Sequence, residues 1–315
     1  MRALIVGAGA VGQVFGYHLA RGGARVGFLV KPKYADEARR GYTLYPLNPR
    51  GAPPERFTDF DVLTEPGQAA GWDQVYITVA STALHSGTWL AELCAACADA
   101  TIIPLQPGLD DHATVVAAAK DPARVVAGSI GFLSYHAPLP GETRFAEPGM
   151  AYWFFPGQKS PFSGARAADV VAALRAGKLP AKVVRNVGLE VAFPSAMLSA
   201  FVAALEAGGW SFAALRKNAA LGARAAREAM AVAANDLGVR APFGPRLAAR
   251  AFMFRMITRL APIIAPVDME AYMRAHFTKV GDQMHEHLRA YAARGYAASL
   301  DVSALDELAK RLLPG

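Results

Sequence analysis

The stretch Ala3-Leu4-Ile5-Val6-Gly7-Ala8-Gly9-Ala10-Val11-Gly12 decides the fold. Its first four residues are wholly apolar, as a short strand buried on both faces of a parallel sheet requires. Gly7, Gly9 and Gly12 then form a G-x-G-x-x-G array, and Val14, Phe15 and Leu19 follow at helical spacing. Residues 25–30 read as a second strand, so the glycines occupy the first turn of a βαβ unit. In that context each glycine has a separate task. Gly7 permits the tight turn, Gly9 lets the backbone approach a pyrophosphate, and Gly12 allows close packing of helix on strand. A diphosphate would sit at the helix N-terminus, against Ala8, Ala10 and Val11, where unpaired N–H groups and the positive end of the helix dipole converge. A bare glycine-rich turn would not be bracketed by strand, helix and strand, so the array predicts a dinucleotide site.

Further apolar segments at residues 75–79, 101–105 and 125–130 continue the pattern, with a helical stretch at 82–98 between the first two. This alternation predicts a doubly wound α/β sheet. Val79, Ala80, Gln106 and Pro107 follow strand ends and should border the cofactor, because ligands of open α/β sheets bind outside the carboxyl ends of the strands. Pro- and Gly-rich stretches at 45–54 and 137–164 read as loops or hairpins, and residues 182–184 as a last strand. From about residue 187 the composition shifts to long Ala-, Leu- and Arg-rich segments, with turns near 208–209, 238–245, 262–266 and Gly295. The expected division is a Rossmann domain over residues 1–185 and an all-helical substrate and dimerisation domain over residues 186–315.

The 315 residues are 53% hydrophobic and 19% charged, which excludes general disorder. Two cysteines cannot form a multi-bridge scaffold, so a reduced, cytoplasmic setting is the expectation. The uncharged run at 3–20 is interrupted by four glycines, unlike a signal-peptide core. A second run, 191–205, is shorter than the ~20 residues of a membrane span. The net charge of +7 comes from 33 basic and 26 acidic residues, so its placement matters more than its size.

Part of that charge bears on cofactor choice. Dinucleotide folds that prefer NAD place Asp or Glu about 20 residues past the glycines to bind the ribose 2′-hydroxyl. Here the second strand ends in Phe28-Leu29-Val30-Lys31-Pro32-Lys33, and the first acid is Asp36. Lys31 and Lys33 offer positive charge where a 2′-phosphate would lie, which favours NADP over the alternative of a solvated lysine pair.

The glycine motif, the basic end of strand two and the helical second half together resemble the ketopantoate reductase (2-dehydropantoate 2-reductase) family. Residues 278–295 are similar to the long helix that closes that family's active-site cleft. The resemblance implies NADPH-dependent reduction of a 2-oxo acid, with hydride transfer in the cleft between the domains and a small anionic carbonyl compound as substrate. It also implies catalytic side chains that this sequence lacks. The family's lysine and asparagine in the first helix of the second domain have no counterpart in residues 189–205. Its lysine after the strand at 75–79 is Ala80, its loop asparagine is Pro107 in Gln106-Pro107-Gly108, and its substrate-binding Glu is Lys279. Loss of one electrostatic stabiliser alone can cost ~10²–10³ in rate, so unmodified ketopantoate chemistry is not expected.

Two side chains are candidates to replace them. His276, Lys279, Gln283 and His287 share one helical face, and Lys279 or His276 could donate the proton to the carbonyl oxygen. The competing reading is a polar, solvated stripe. Ser195 and Ser199 could line a pocket, although small residues at this spacing also permit close helix packing. Two rival functions stay open: an imine reductase resembling opine dehydrogenases, and a catalytically silent NADP-binding sensor.

Other features point away from metals and polyanions. Cys94 and Cys97 lack a second pair for zinc and read as buried small side chains. His285-Glu286-His287 is not a zinc motif, because residues two apart do not face each other on a helix. Asp110-Asp111-His112 reads as an acidic helix start, with His112 a weak acid/base candidate; Tyr135-His136 follows another strand end. Between Asp236 and Asp268 there are five arginines and no acid, interleaved with Phe252, Met253, Phe254 and Met256. That segment reads as a domain or subunit contact rather than a membrane-surface helix, which is compatible with a homodimer. No nucleic-acid module and no metal site are expected.

Overall fold

The computed structural model describes residues 1–108, 110–279 and 281–312; the side chains at 279, 282 and 283 lie outside that description. It divides into two compact units, Met1–Val187 and Gly188–Gly315.

In chain order the first unit contains β1 (Arg2–Val6), α1 (Ala10–Arg21), β2 (Arg25–Leu29), α2 (Ala35–Arg39), β3 (Tyr42–Pro46), β4 (Glu55–Phe57) and β5 (Asp61–Leu63). There follow β6 (Gln74–Ile77), α3 (Ser81–Leu84), α4 (Trp89–Ala96), β7 (Thr101–Pro104), α5 (Asp111–Ala119) and β8 (Ala127–Gly128). The unit ends with β9 (Phe132–Ala137), β10 (Gly149–Phe154), β11 (Ser160–Ser163), α6 (Ala167–Ala176) and β12 (Ala181–Val183).

Five strands form a wholly parallel sheet in the order β5-β2-β1-β6-β7. The order reverses between β1 and β6, which places the ligand crevice of such a fold at their carboxyl ends. Strand β1 shows why the sheet is buried on both sides. Ala3 and Ile5 pack with Phe15 and Phe28 on one face, while Leu4 and Val6 pack with Trp72 and Leu93 on the other. The alternation of a strand thus feeds two separate cores, and an unbroken apolar run is the sequence that satisfies both.

The structure corrects several boundaries of this unit. The helix expected over 82–98 is two helices, α3 and α4, separated at Gly87 with φ of +70°. The segment 125–130 does not extend the parallel sheet as a full strand. Val125 makes one parallel bridge to Ile102, and β8 then pairs antiparallel with β11. The stretches read as loops or hairpins hold the end of β3, β10 and β11, and β10 pairs antiparallel with β9 as a hairpin. β3 and β10 lie in a second, four-stranded sheet, β4-β3-β10-β9, in which β3 pairs in parallel with β10. Its aromatic face closes over α1, where the His18 ring meets Tyr152 and Phe154 edge-on at 5.4 and 5.2 Å.

The second unit is helical: α7 (Val187–Ala207), α8 (Phe212–Lys217), α9 (Ala219–Leu237), α10 (Phe243–Ala248), α11 (Ala251–Ile264), α12 (Met269–Lys279), α13 (Gly281–Ala297) and α14 (Ser303–Leu312). Two expected turns come a few residues later: α11 runs through Pro262 to Ile264 before the chain turns at 265–268, and α13 runs through Gly295, where a side chain would strike Val302 and Val232, to Ala297. Helix α9 carries an alanine-rich buried face that lets its neighbours approach closely. Its Glu228 is buried and accepts from the backbone N–H groups of Ala304 and Leu305, capping α14 from a distance of 76 residues in sequence. Burial pushes its carboxyl above the usual carboxylate range.

Helix α7, at 21 residues, is longer than its uncharged run suggested and is apolar enough to cross a membrane by length and composition. Within the unit it is partly buried: Phe201 meets Phe254 of α11, and Gly222 of α9 faces Ala204. Helix α11 leaves Phe252, Met256, Leu260, Ile263 and Ile264 exposed beside its arginines.

Candidate functional site

At the carboxyl end of β1 the chain makes the turn that the glycines permit. Gly7 has φ of +95°, a left-handed conformation that L side chains rarely adopt, and its N–H donates to the Leu29 carbonyl of β2. A Cβ on Gly12 would stand 2.1 Å from the Gly7 oxygen, so helix α1 can start this close to the strand only without a side chain there. Gly9 is different. It is exposed, and a Cβ built on it meets nothing within 4 Å. The turn therefore keeps an open concavity above Gly9, at the N-terminus of a twelve-residue helix with no acid in its first turn and no side-chain cap. That geometry fits the diphosphate of a dinucleotide.

Two side chains that sequence reasoning missed hold this turn. The buried Gln13 donates from Nε2 to the Ala8 carbonyl at 2.9 Å. Thr78 follows β6, and its hydroxyl lies 2.9 Å from the Val6 carbonyl and 2.8 Å from that of Gly7. Ser81, also missed, acts one loop further along, where its hydroxyl bonds Asp111. Among the expected cofactor neighbours, Val79 touches the turn directly, since its Cγ1 would be 2.9 Å from a Cβ on Gly7. Ala80 and Pro107 are exposed beside it and offer no polar side-chain atom.

Gln106 corrects an expectation. Its Nε2 donates to the carbonyls of Ile77 at 2.9 Å and Val79 at 2.8 Å, and its Oε1 accepts from the Leu105 N–H. The amide is occupied in tying β7 to β6, so Gln106 shapes the crevice and its side chain is spent on backbone.

Lys31 and Lys33 lie just past β2, both exposed. The Lys33 ammonium stands 4.9 Å over the Tyr34 ring, and Asp36 is held by Arg39 at 2.7 Å. Residues 28–33 themselves include no acid, so the charge that this segment carries is basic.

Beyond Ala80, on the β6–β7 side of the crevice, lies a polar cluster. Asp111 is buried, accepting from the Ser81 hydroxyl at 2.6 Å and the Gly108 N–H at 2.7 Å. Its other oxygen is 3.5 Å from Nε2 of His85, whose side chain is 55% exposed. The acidic helix start at 110–112 is therefore more than a cap. His112 next to it is exposed at the surface, and partial desolvation of its ring lowers its pKa.

The two catalytic candidates lie in the second unit. His276 stacks on Tyr272 at 5.3 Å and meets Phe277 edge-on. The side chains of Lys279 and Gln283 lie outside the described residues. The long helix expected at 278–295 is described as the end of α12 and α13, with residue 280 outside the description. His285 pairs with Glu206 of α7 at 3.0 Å, and no metal-binding cluster exists among the described residues. Ser199 turns its hydroxyl back onto the Ser195 carbonyl. Cys94 and Cys97 are buried, and burial raises both thiols, Cys94 to about 11. Tyr135 is engaged with Glu142 and Arg144 in the second sheet.

An open depression of about 650 Å³, lined by Met1, Gly22, Asp73, Thr101 and Arg166 among others, opens at the amino ends of the strands. It is the wrong end of the sheet for a dinucleotide, and the glycine turn lies at the other.

Residues 3–154 match the family model described as ketopantoate reductase PanE/ApbA. That stretch, just under half of the chain, is similar to the family's domain. The match covers the glycine turn, the end of β2 and the Ser81–His85–Asp111 cluster, and it stops before the helical unit. No curated protein matches by sequence. Solved structures extend the likeness of fold over both units. A PanE/ApbA family ketopantoate reductase from Ralstonia eutropha JMP134 is 22% identical with a TM-score of 0.71, covering 98% of this chain and 96% of that one. The 2-dehydropantoate 2-reductase from Geobacter metallireducens GS-15 is 15% identical with a TM-score of 0.72, covering 99% of both chains. A D-mandelate dehydrogenase solved with NADH and anilino(oxo)acetate is 12% identical with a TM-score of 0.74, covering 99% of this chain and 97% of that one. The first unit thus has an NAD(P)-binding Rossmann fold, followed by the helical region of the same two-domain architecture.

Proposed function

We propose that this protein is an NADPH-dependent reductase of a small 2-oxo acid. The observation that carries the cofactor choice is the end of β2, where Lys31 and Lys33 stand exposed and no carboxylate is present to bind a ribose 2′-hydroxyl. The glycine turn, with its open space over Gly9, would hold the diphosphate, and Val79 with Ala80 would border the nicotinamide half. When bound, the reduced nicotinamide supplies a hydride to a carbonyl carbon. The chain's own work is to hold the dinucleotide, exclude water and deliver a proton to the carbonyl oxygen. The NADH complex of the similar D-mandelate dehydrogenase marks the alternative cofactor.

A panel of 2-oxo acids, with and without amines, assayed for NADPH and NADH oxidation at 340 nm tests this reading. Turnover of 2-oxo acids with NADPH preferred supports it. Turnover that requires an amine points to an imine reductase. Tight NADPH binding without oxidation of any compound overturns it in favour of a sensor.

A further inference from the structure

Reduction of a carbonyl needs a proton donor at the oxygen, and neither Ala80 nor Pro107 can act as one. The cluster next along the crevice contains one side chain that can. His85 follows the short helix α3, which begins directly after Ala80, and more than half of its side chain is open. Its Nε2 faces Oδ1 of Asp111 at 3.5 Å. Asp111 is itself fixed on its other oxygen by the Ser81 hydroxyl and the Gly108 N–H, at 2.6 and 2.7 Å. A buried carboxylate, itself held by two hydrogen bonds, thus stands beside Nε2 of an accessible imidazole, whose other nitrogen, Nδ1, makes no contact with that carboxylate. Ser81 and Gly108 follow β6 and β7, on the far side of the switch point from Lys31 and Lys33. A dinucleotide laid from the end of β2 across the glycine turn extends its nicotinamide half to this side.

Resting on the reductase reading above, we propose that His85 is the proton donor of the reaction and that Asp111 positions it. As the carbonyl carbon accepts the hydride, the C=O π pair moves onto oxygen. A proton passes from Nδ1 of the imidazolium to that oxygen, giving the hydroxyl. The imidazole keeps its Nε2 proton, donated to Asp111, and regains the Nδ1 proton from water at its exposed edge. Ser81 and the Gly108 N–H keep the carboxylate from turning away.

The test combines labelling and kinetics. 3-Bromopyruvate is a 2-oxo acid whose bromide an imidazole nitrogen displaces, forming a C–N bond. Incubated with the ligand-free protein and followed by peptide mass spectrometry, it should alkylate His85, and excess pyruvate should protect. Asp111→Asn should slow that alkylation several-fold, since a neutral amide no longer draws the Nε2 proton and enriches Nδ1. His85→Gln should lower kcat at least ~10²-fold, within the range of a lost general acid. NADPH affinity, read by fluorescence on binding, should stay within about twofold. A wild-type His85 that takes no pyruvate-protectable label overturns the proposal, as does a His85→Gln variant with undiminished kcat. If Asp111→Asn fails to fold, the exposed His85→Gln variant still decides. A wild-type protein inert to every 2-oxo acid overturns the reductase reading instead, and the labelling arm then decides His85 by itself.

Discussion

The Thr78 hydroxyl donates to the carbonyl of Gly7 from 71 residues away, at 2.8 Å, and also lies 2.9 Å from the Val6 carbonyl. It joins the loop after β6 to the glycine turn after β1, the two strand ends between which the sheet order reverses. Thr78→Val keeps the shape and removes the bonds. It should cost about 1–2 kcal/mol of stability, because two partly buried carbonyls lose a donor. NADPH affinity should fall with it, as the turn is no longer fixed. Denaturant melts and fluorescence titration check both; unchanged values in both would mean that the backbone alone sets the turn.

The glycines separate folding from binding. A methyl on Gly12 has no room, with the Gly7 oxygen at 2.1 Å and Thr78 Oγ1 at 2.7 Å, so Gly12→Ala should destabilise the first unit by ~1–3 kcal/mol or more. A methyl on Gly9 projects into open space, so Gly9→Ala should leave the melting temperature nearly unchanged. Its effect should appear as a loss of roughly tenfold or more in dinucleotide affinity, about 1.4 kcal/mol. Equal loss of stability in both variants would contradict this division.

Lys31 and Lys33 should discriminate cofactors by charge. The double variant Lys31→Ala, Lys33→Ala should weaken NADPH by about 1.5–3 kcal/mol, the value of one or two hydrogen bonds to a charged group, and leave NADH within about twofold. The preference for NADPH that this reading predicts should also shrink as ionic strength rises, since both lysines are exposed. Isothermal titration with the two cofactors at low and high salt measures both effects. Parallel losses for NADPH and NADH would show that the lysines do not read the 2′-phosphate.

What the sequence revealed was what is local. Residues 3–12 carry strand, turn and helix start within one window, and the apolar alternation of β1 already implies cores on both faces. The missed features are pairings across the chain. Tyr42–Pro46 and Gly149–Phe154 lie side by side in the second sheet, yet each is bounded by the prolines and glycines that mark loops. Asp111 looked like an ordinary acidic helix start, and its bond to Ser81 spans 30 residues. His85 stood in a stretch read as continuous helix, where α3 ends at Leu84 and the imidazole lies 3.5 Å from Asp111. No periodicity reports such contacts, because they arise only when neighbouring strand ends are brought together.

In the helical unit, Glu228→Gln should show the value of a distant cap. The amide still offers one oxygen to the N–H groups of Ala304 and Leu305 but loses the charge that complements the start of α14. A cost of roughly 1 kcal/mol is expected at neutral pH, and more for Glu228→Ala, which leaves both donors buried without that partner. Hydrogen exchange at residues 304 and 305 should rise in both variants; protection equal to wild type would assign the cap to other groups.

Acid sensitivity should trace to His18. Burial lowers its pKa to about 4, against a smaller opposing effect of the bond to the Gly177 carbonyl, and the nearby Arg21 adds to the lowering. The unfolded imidazole titrates near 6.5. Between pH 6.5 and 4 the unfolded chain therefore binds a proton that the folded chain refuses, and stability falls as pH drops through that window. The shift corresponds to a loss on the order of 3 kcal/mol by pH 4. His18→Phe keeps an aromatic ring against Tyr17, Tyr152 and Phe154 but leaves the Gly177 carbonyl without its donor, costing about 1–2 kcal/mol at pH 7.5. The variant should then lose less on acidification, so that urea midpoints of the two proteins converge or cross near pH 4.5. Parallel acid limbs for wild type and variant would place the titrating group elsewhere.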